Sequence, residues 1–175
     1  MKVALIQPRL PASESLGIAK APTSIQHLAG HLEKENHQVE MFHAAAEEDL
    51  IRDIQALDPD CIGLSAMTVE LPEAEKIARA IKQTSSKAQV VLGGWHASGC
   101  VDAHLRGQGS EPLDEIIGID SPFDMVVHGS GELIMSDILK GGPIIHGAEH
   151  ELGRARVIIA DKIKDRTNQS SPSWK

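Results

Sequence analysis

The residues of this chain with the most obvious capacity for chemistry are nine histidines and two cysteines. His27 and His31 are about one helical turn apart, so two imidazoles on one helix face could clamp a metal ion. No cysteine or acidic residue at a suitable spacing completes the ligand set, and we therefore expect a solvated helix face. Cys61 stands inside an apolar run and is expected in the core. Cys100 falls in a predicted loop where nothing would activate its thiolate. Neither a metal site nor a catalytic Ser-His-Asp or paired-carboxylate site is predicted.

A pair of glycines ends the apolar run of residues 90–92. The run has the character of a strand buried on both faces of a parallel sheet, and Gly93 and Gly94 follow it directly. Two missing Cβ atoms would let a flat ligand lie against the backbone, although a tight turn uses glycines equally well. His96 comes two residues later, as either an ordinary loop histidine or a group that touches a ligand. The pair alone leaves both interpretations open.

Apolar runs and amphipathic segments alternate along the chain in the order typical of βαβ units. We therefore predict an α/β protein: a doubly wound, three-layer Rossmann-like (flavodoxin-like) domain with a five-stranded parallel sheet. Residues 99–120 read as a loose segment with one helical turn at 113–117, and two weak strands are expected at 143–146 and 156–160. The predicted strands are Lys2–Gln7, Val39–Phe42, Cys61–Ala66, the run at 90–92 and Phe123–Val127, and the predicted helices occupy about 23–36, 47–57, 72–81 and 132–139.

Four loops are expected at one edge of this sheet. Right-handed crossovers bring together the loops that follow the first, third, fourth and fifth strands, at residues 8–22, 65–68, 93–98 and 129–132. Ligands of open parallel sheets bind outside the carboxyl ends of the strands, so this convergence favours a ligand site over simple turns. A dinucleotide does not fit, because GSGELI at 129–134 lacks the third glycine of the fingerprint and follows the fifth strand.

The composition limits the partners of the chain. Its 175 residues are the size of one domain, and 17 basic against 25 acidic side chains give a net charge of −8. This charge argues against nucleic acid or an anionic membrane as the main partner. Two cysteines are too few for a disulfide framework, and no apolar run approaches the roughly 20 residues that span a bilayer, so we expect a cytoplasmic protein.

Five segments in order resemble the cobalamin-binding domain at the amino end of many radical S-adenosylmethionine enzymes. They are MKVALIQP, APTSIQHLAGHLEKENHQVEMFHA, DPDCIGLSAMT, AIKQTSSKAQVVLGGWHAS and FDMVVHGSGE. The resemblance implies cobalamin held against the carboxyl edge of the sheet, with Ser65, Met67 and Thr68 beside its lower face and nucleotide tail. It also implies that the tail passes Gly93 and Gly94. The remaining cofactor-binding residues that it implies are Trp95, His96, Ala97 and Ser98 after the glycine pair, and Gly129, Gly131 and Glu132 in the last segment.

The chain also departs from this family. It lacks the Asp-x-His-x-x-Gly motif that places a histidine under cobalt, and it has Ser24 and Ser130 where glycine and glutamate are usual. It contains no Cys-x-x-x-Cys-x-x-Cys motif, so the resemblance places the iron–sulfur cluster and S-adenosylmethionine in a separate radical domain. We predict a cobalamin-binding-like domain at 1–147 and an extension or linker at 148–175. The chain is then a fragment of a longer enzyme or a standalone relative, noncatalytic alone. The alternative is a degenerate structural or interaction domain.

The glycine pair also yields one mutational expectation. If a cofactor tail runs past bare backbone, the methyl group of Gly94→Ala occupies the volume that the ligand needs. We expect that variant to fold and to bind poorly.

Overall fold

A computed structural model of the chain describes residues 1–8, 23–43, 47–84, 87–109 and 111–161. The loop predicted at 8–22 and the segment from residue 162 lie, apart from Pro8, outside the described residues. The strands are β1 (Lys2–Gln7), β2 (Gln38–His43), β3 (Cys61–Ser65), β4 (Gln89–Gly93), β5 (Met125–His128), β6 (Gly147–Glu151) and β7 (Arg156–Ala160). The helices are α1 (Thr23–Lys34), α2 (Glu47–Leu57), α3 (Leu71–Gln83), α4 (Trp95–Leu105), α5 (Glu111–Ile117) and α6 (Gly131–Lys140), with a 3₁₀ turn at Thr68–Glu70.

The strands form one sheet in the order β2-β1-β3-β4-β5-β7-β6, and every pairing is parallel except that of β6 with β7. The first five strands have the flavodoxin-like order, and the predicted fold class is confirmed. The predicted count of five strands is wrong, because β7 extends the parallel sheet beside β5 and β6 adds an antiparallel edge.

The weak strand predicted at 143–146 is also wrong, and Asp137 supplies the reason. Its Oδ2 accepts hydrogen bonds from the backbone N–H groups of Ile145 (2.8 Å) and His146 (2.9 Å), so these donors are not available to a sheet ladder. The strand begins only at Gly147. The domain boundary predicted at 147 coincides with this residue, and both strands beyond it belong to the same sheet.

Helices cover the sheet in two layers with separate apolar cores. On one face α2, α3, α4 and α5 pack against Ala4, Ile62 and Leu92 and their neighbours. On the other face α1 and α6 pack against Leu5 and Val91. Of the described helices, two therefore cover the second face.

The prediction of a loose segment at 99–120 is wrong, because α4 and α5 lie there. In α4 the buried Ala97, Cys100 and Val101 recur at helical spacing, but the exposed Gly99 interrupts the pattern in the sequence. His96 and Cys100 consequently lie on a helix and not in a loop. Among the described residues, no helix is long and apolar enough to cross a membrane.

Candidate functional site

A cavity of about 220 Å³ opens at the carboxyl edge of the sheet, on the face covered by α1 and α6. Leu5, Val91 and Val127 form its apolar floor, and the starts of the two helices form its walls. Six of the predicted cofactor-binding residues line it: Ser65, Gly93, Gly94, Gly129, Gly131 and Glu132. The convergence of the loops after β3, β4 and β5 on one edge is thus observed.

The two glycines after β4 have different surroundings. Gly94 has φ +95° and ψ −171°, a combination that is essentially restricted to glycine, and a Cβ there would lie 2.8 Å from both N and O of Ala66. A Cβ on Gly93 would meet no atom within 4 Å, and its φ is an ordinary one. Gly94 is therefore required by the backbone, whereas Gly93 leaves open space beside the cavity.

Polar groups stand at the mouth and wall of the cavity. The hydroxyl oxygens of Ser24 on α1 and Ser65 at the end of β3 are 3.2 Å apart, at hydrogen-bonding distance. Glu132, in the first turn of α6, lines the wall. Its Oε2 is buried, and no described residue gives it a hydrogen bond. The described lining residues include no lysine or arginine, and His27 lines the same cavity.

A hydrogen-bond network joins the two helices that form the cavity walls. The Ser136 hydroxyl on α6 donates to Glu35 Oε2 at 2.5 Å, and His31 Nε2 on α1 lies 2.9 Å from the same hydroxyl oxygen. Lys140 donates to the other oxygen of Glu35 at 3.4 Å. Burial alone would raise the pKa of Glu35, but the hydrogen bonds from Ser136 and Lys140 outweigh it and hold the pKa below its ordinary value. The network therefore links α1 to α6 outside the cavity lining.

The prediction of a solvated face for His27 and His31 is wrong. His31 takes part in the α1–α6 network, and His27 lines the cavity, because α1 turns this face towards α6 and the sheet edge. Among the described residues there is no group of three or more histidine, cysteine, aspartate or glutamate side chains that could hold a metal ion.

His96 and Thr68 lie away from the cavity. His96 is 8% exposed, its Nδ1 lies 3.2 Å from Thr68 Oγ1, and its Nε2 lies 3.4 Å from Cys100 Sγ. Burial lowers the pKa of His96, with Glu115 opposing the shift, and burial raises the pKa of the Cys100 thiol. The pair is therefore neutral, and the imidazole is held by the protein rather than presented at the edge.

The remaining predicted residues have separate positions. Met67 donates its backbone N–H to Glu70 at 2.8 Å, and Ala97 is fully buried in the core on the opposite face of the sheet. Trp95 is 84% exposed at the first residue of α4. The Ser98 hydroxyl accepts a hydrogen bond from the Gly129 backbone N–H at 3.1 Å and so ties the loop after β5 to α4. These residues surround the edge without lining the cavity.

Sequence reasoning did not select several residues that line the cavity. The sequence marks Ser24 and Ser130 only as departures from a family pattern and predicts a solvated face for His27, but all three residues line the cavity. The sequence contains a signal for each of these residues. Ser24 and His27 lie in the first two turns of the helix that follows the loop after β1, at the same edge of the sheet. Ser130 lies between Gly129 and Gly131, which are both predicted to bind the cofactor.

The chain is similar in sequence to a known domain family and to two larger proteins. The family model for the B12 binding domain matches residues 20–118, which include β3, β4 and the glycine pair. An uncharacterized methyltransferase, PH0819, of Pyrococcus horikoshii is 29% identical over 136 residues, covering 67% of this chain and 29% of the relative. The anaerobic magnesium-protoporphyrin IX monomethyl ester cyclase of Rubrivivax gelatinosus is 27% identical over 124 residues, covering 67% of this chain and 20% of the relative. The chain thus spans less than a third of the length of either relative.

The fold is similar to that of the cobalamin-dependent S-adenosylmethionine radical enzyme OxsB. Its structures with aqua-cobalamin, and with aqua-cobalamin and S-adenosylmethionine, superimpose with TM-scores of 0.68 and 0.69 at 15% identity. Each superposition covers 98% of this chain and 24% of the OxsB chain. At this identity the likeness is one of fold, and it extends beyond residue 118 to the second cavity wall. Since the family model matches more than half of the chain, including β3 and β4, whose ends line the cavity, the chain belongs to the B12-binding domain family.

Proposed function

We propose that this chain is the cobalamin-binding module of a radical S-adenosylmethionine enzyme. The observation that carries the proposal is the cavity at the carboxyl edge, bounded by the bare backbone of Gly93 in a chain of the B12-binding family. Open α/β sheets bind ligands at this position. The corrin would lie outside the edge, near the segments that carry Trp95 and Ser98, with its nucleotide tail in the cavity.

The size of the cavity supports the placement of the nucleotide tail inside it and of the corrin outside it. An apolar cavity of about 150 Å³ binds one benzene ring, whereas sites for drug-sized ligands occupy about 300–1,000 Å³. At about 220 Å³ the cavity suits a bicyclic base and not a corrin macrocycle. Its floor of Leu5 and Val91 is apolar, as a flat aromatic base requires, and its polar groups stand at the mouth and wall.

The chain's own residues would bind and orient the cofactor. When bound, cobalamin supplies a cobalt centre that can carry a methyl group or assist a radical step. The α1–α6 network would hold the two wall helices together, and the hydrogen bond from Gly129 to Ser98 would tie the loop after β5 to α4. His96 is held by Thr68 and Cys100 in the opposite layer, so its role here is to position the turn after β3.

The catalytic step would need a further domain. This chain covers a small fraction of its relatives, and its two cysteines cannot make a three-cysteine cluster motif. We propose that the iron–sulfur cluster and S-adenosylmethionine belong to a radical domain that acts on the substrate, by methyl transfer or a radical step, with cobalamin held by this module.

Titration with hydroxocobalamin tests the proposal directly. We expect saturable changes in the visible absorption spectrum of the corrin, with a Kd in the tens of micromolar or lower, and a matching rise in Tm as ligand is added. Spectra that do not change up to that concentration, together with an unchanged Tm, would contradict cobalamin binding by this chain.

The alternative is a degenerate domain of the same fold with a structural or interaction role. The contact between Ser24 and Ser65 favours it, because a hydrogen bond across the mouth narrows the entry to the cavity. Ser24→Gly separates the two possibilities. If the cavity is functional, this variant binds hydroxocobalamin at least as well as the parent; if the site has decayed, neither protein binds.

A further inference from the structure

The unpaired carboxylate of Glu132 is the feature of the cavity that packing does not explain. Its Oε2 is buried without a partner among the described residues, although a buried polar atom ordinarily has one. The first turn of α6 stabilises a negative charge through the helix dipole, but it supplies no hydrogen bond to this oxygen. A buried charged group left unsatisfied destabilises a fold, so a ligand donor is the natural partner.

The described neighbours of Glu132 do not donate to that oxygen. The Ser136 hydroxyl donates to Glu35 and lies 3.2 Å from the backbone oxygen of Glu132, and Ser24 and Ser65 are at hydrogen-bonding distance from one another. The cavity has no lysine or arginine among its described lining residues. Among the described residues no donor reaches Glu132 Oε2, and a ligand that enters the cavity can supply one.

We infer that Glu132 binds a ribose hydroxyl of the corrinoid nucleotide tail and makes this domain select complete corrinoids over those without the nucleotide. The inference rests on the proposed function. Within the tail, the phosphate is an anion that a carboxylate repels, and neutral dimethylbenzimidazole has no N–H or O–H group. The ribose carries free hydroxyls, and a hydroxyl bonded to a carboxylate forms one of the stronger classes of hydrogen bond.

Two ligands and four proteins test the inference. Cobalamin and cobinamide share the corrin, but cobinamide lacks the nucleotide. Each is titrated by visible absorption into the parent, Glu132→Met, Glu132→Gln and Glu111→Gln. Met keeps the length of the side chain and removes the acceptor, whereas Gln keeps a neutral acceptor. Glu111 lies exposed in the first turn of α5, so its variant controls for loss of an acid at a helix start.

We expect Glu132→Met to weaken cobalamin binding by about tenfold to a hundredfold and Glu132→Gln by up to about tenfold. Cobinamide binding should stay the same in both, and Glu111→Gln should match the parent with both ligands. The Tm of ligand-free Glu132→Met should not fall, because the variant replaces an unsatisfied buried oxygen with an apolar group. This readout separates a loss of ligand contact from a loss of fold.

Three results would overturn the inference. Equal losses for cobalamin and cobinamide would assign Glu132 to the corrin or to the fold, and undiminished cobalamin binding by Glu132→Met would remove its role. Equal affinity of the parent for both ligands would show that the tail contributes nothing. If the parent binds neither corrinoid, the proposed function itself is wrong. If the parent binds both and only the expectations for Glu132 fail, the proposed function stands and the inference about Glu132 is wrong.

Discussion

A methyl group at Gly93 is the most discriminating perturbation of the cavity. The Cβ of Gly93→Ala would meet no protein atom within 4 Å, and φ at this position is an ordinary one for alanine. The new methyl would therefore disturb the volume beside the cavity and nothing else. Gly93→Ala is therefore a better test of ligand binding at this edge than Gly94→Ala.

The expected magnitudes follow from the two surroundings. Gly93→Ala should change the free energy of unfolding by less than about 1 kcal/mol, and in the stabilising direction, because alanine restricts the unfolded chain. Overpacking against a ligand is unfavourable by roughly 1–3 kcal/mol, which corresponds to about a fivefold to hundredfold loss of affinity. Binding and stability should therefore change independently.

Gly94→Ala should behave in the opposite way. Its positive φ and its 2.8 Å contacts with the Ala66 backbone together predict a loss of about 3 kcal/mol or more. For a domain of this size that loss corresponds to a fall in Tm of roughly 6–12 °C. A weaker affinity in this variant would report on folding and not on the ligand.

Thermal unfolding by circular dichroism and titration with hydroxocobalamin are measured on the same samples. Gly142→Ala is the matched control, because its Cβ also meets no atom within 4 Å and it follows α6, outside the cavity lining. We expect Gly142→Ala to bind as the parent does. A Gly93→Ala protein with the parent's Tm and the parent's affinity would refute the assignment of this edge to the ligand.

Three other side chains allow independent tests. Trp95 is 84% exposed beside the glycine pair, so cobalamin should quench its emission, and Trp95→Phe should lose most of the quenching; an undiminished change, carried by Trp174, would place the corrin elsewhere. Burial lowers the pKa of His96 below 6.5, so the stability of the neutral ring is present above this pH and is lost as the pH falls below it. The fall in Tm between about pH 7 and about pH 5 should be smaller in His96→Gln, and equal slopes would contradict this. Asp137→Ala removes the acceptor of the backbone N–H groups of Ile145 and His146. It should lower the Tm by roughly 4–8 °C and leave the affinity for cobalamin unchanged. A Tm close to that of the parent would show that these two hydrogen bonds do not stabilise the fold.

The strands that could be predicted are those with an apolar run of their own. β1, β3 and β4 are buried on both faces, and the sequence marks them within one residue at either end. β6 has the sequence GAEHE and is almost wholly exposed. This strand forms because its backbone pairs with the free edge of β7. Backbone pairing of this kind requires no apolar pattern in the residues that pair, so the sequence does not indicate the strand.

The position of the site along the sheet was predictable, but its face was not. The handedness of βαβ crossovers places four loops at one edge, whatever the side chains are. The residues after Gly94 enter α4 on one face, whereas the cavity lies on the other, between α1 and α6. Residues close in the sequence, such as Gly93 and Ala97, thus lie towards opposite faces of the sheet. Sequence proximity to the glycine pair therefore overestimated the number of residues in the cavity.

The glycine pair has two interpretations, a tight turn and space for a ligand, and each applies to a different glycine. At Gly94 the backbone angles and the Ala66 contacts require glycine with or without a ligand, so this residue fulfils the interpretation as a tight turn. At Gly93 neither the angles nor the neighbours require glycine, and strands ordinarily gain stability from a side chain at such a position. An absent side chain beside a cavity is then best explained by what enters the cavity. Sequence alone could not separate the two residues, because φ and the distance to Ala66 depend on how β3 and β4 end side by side in the sheet.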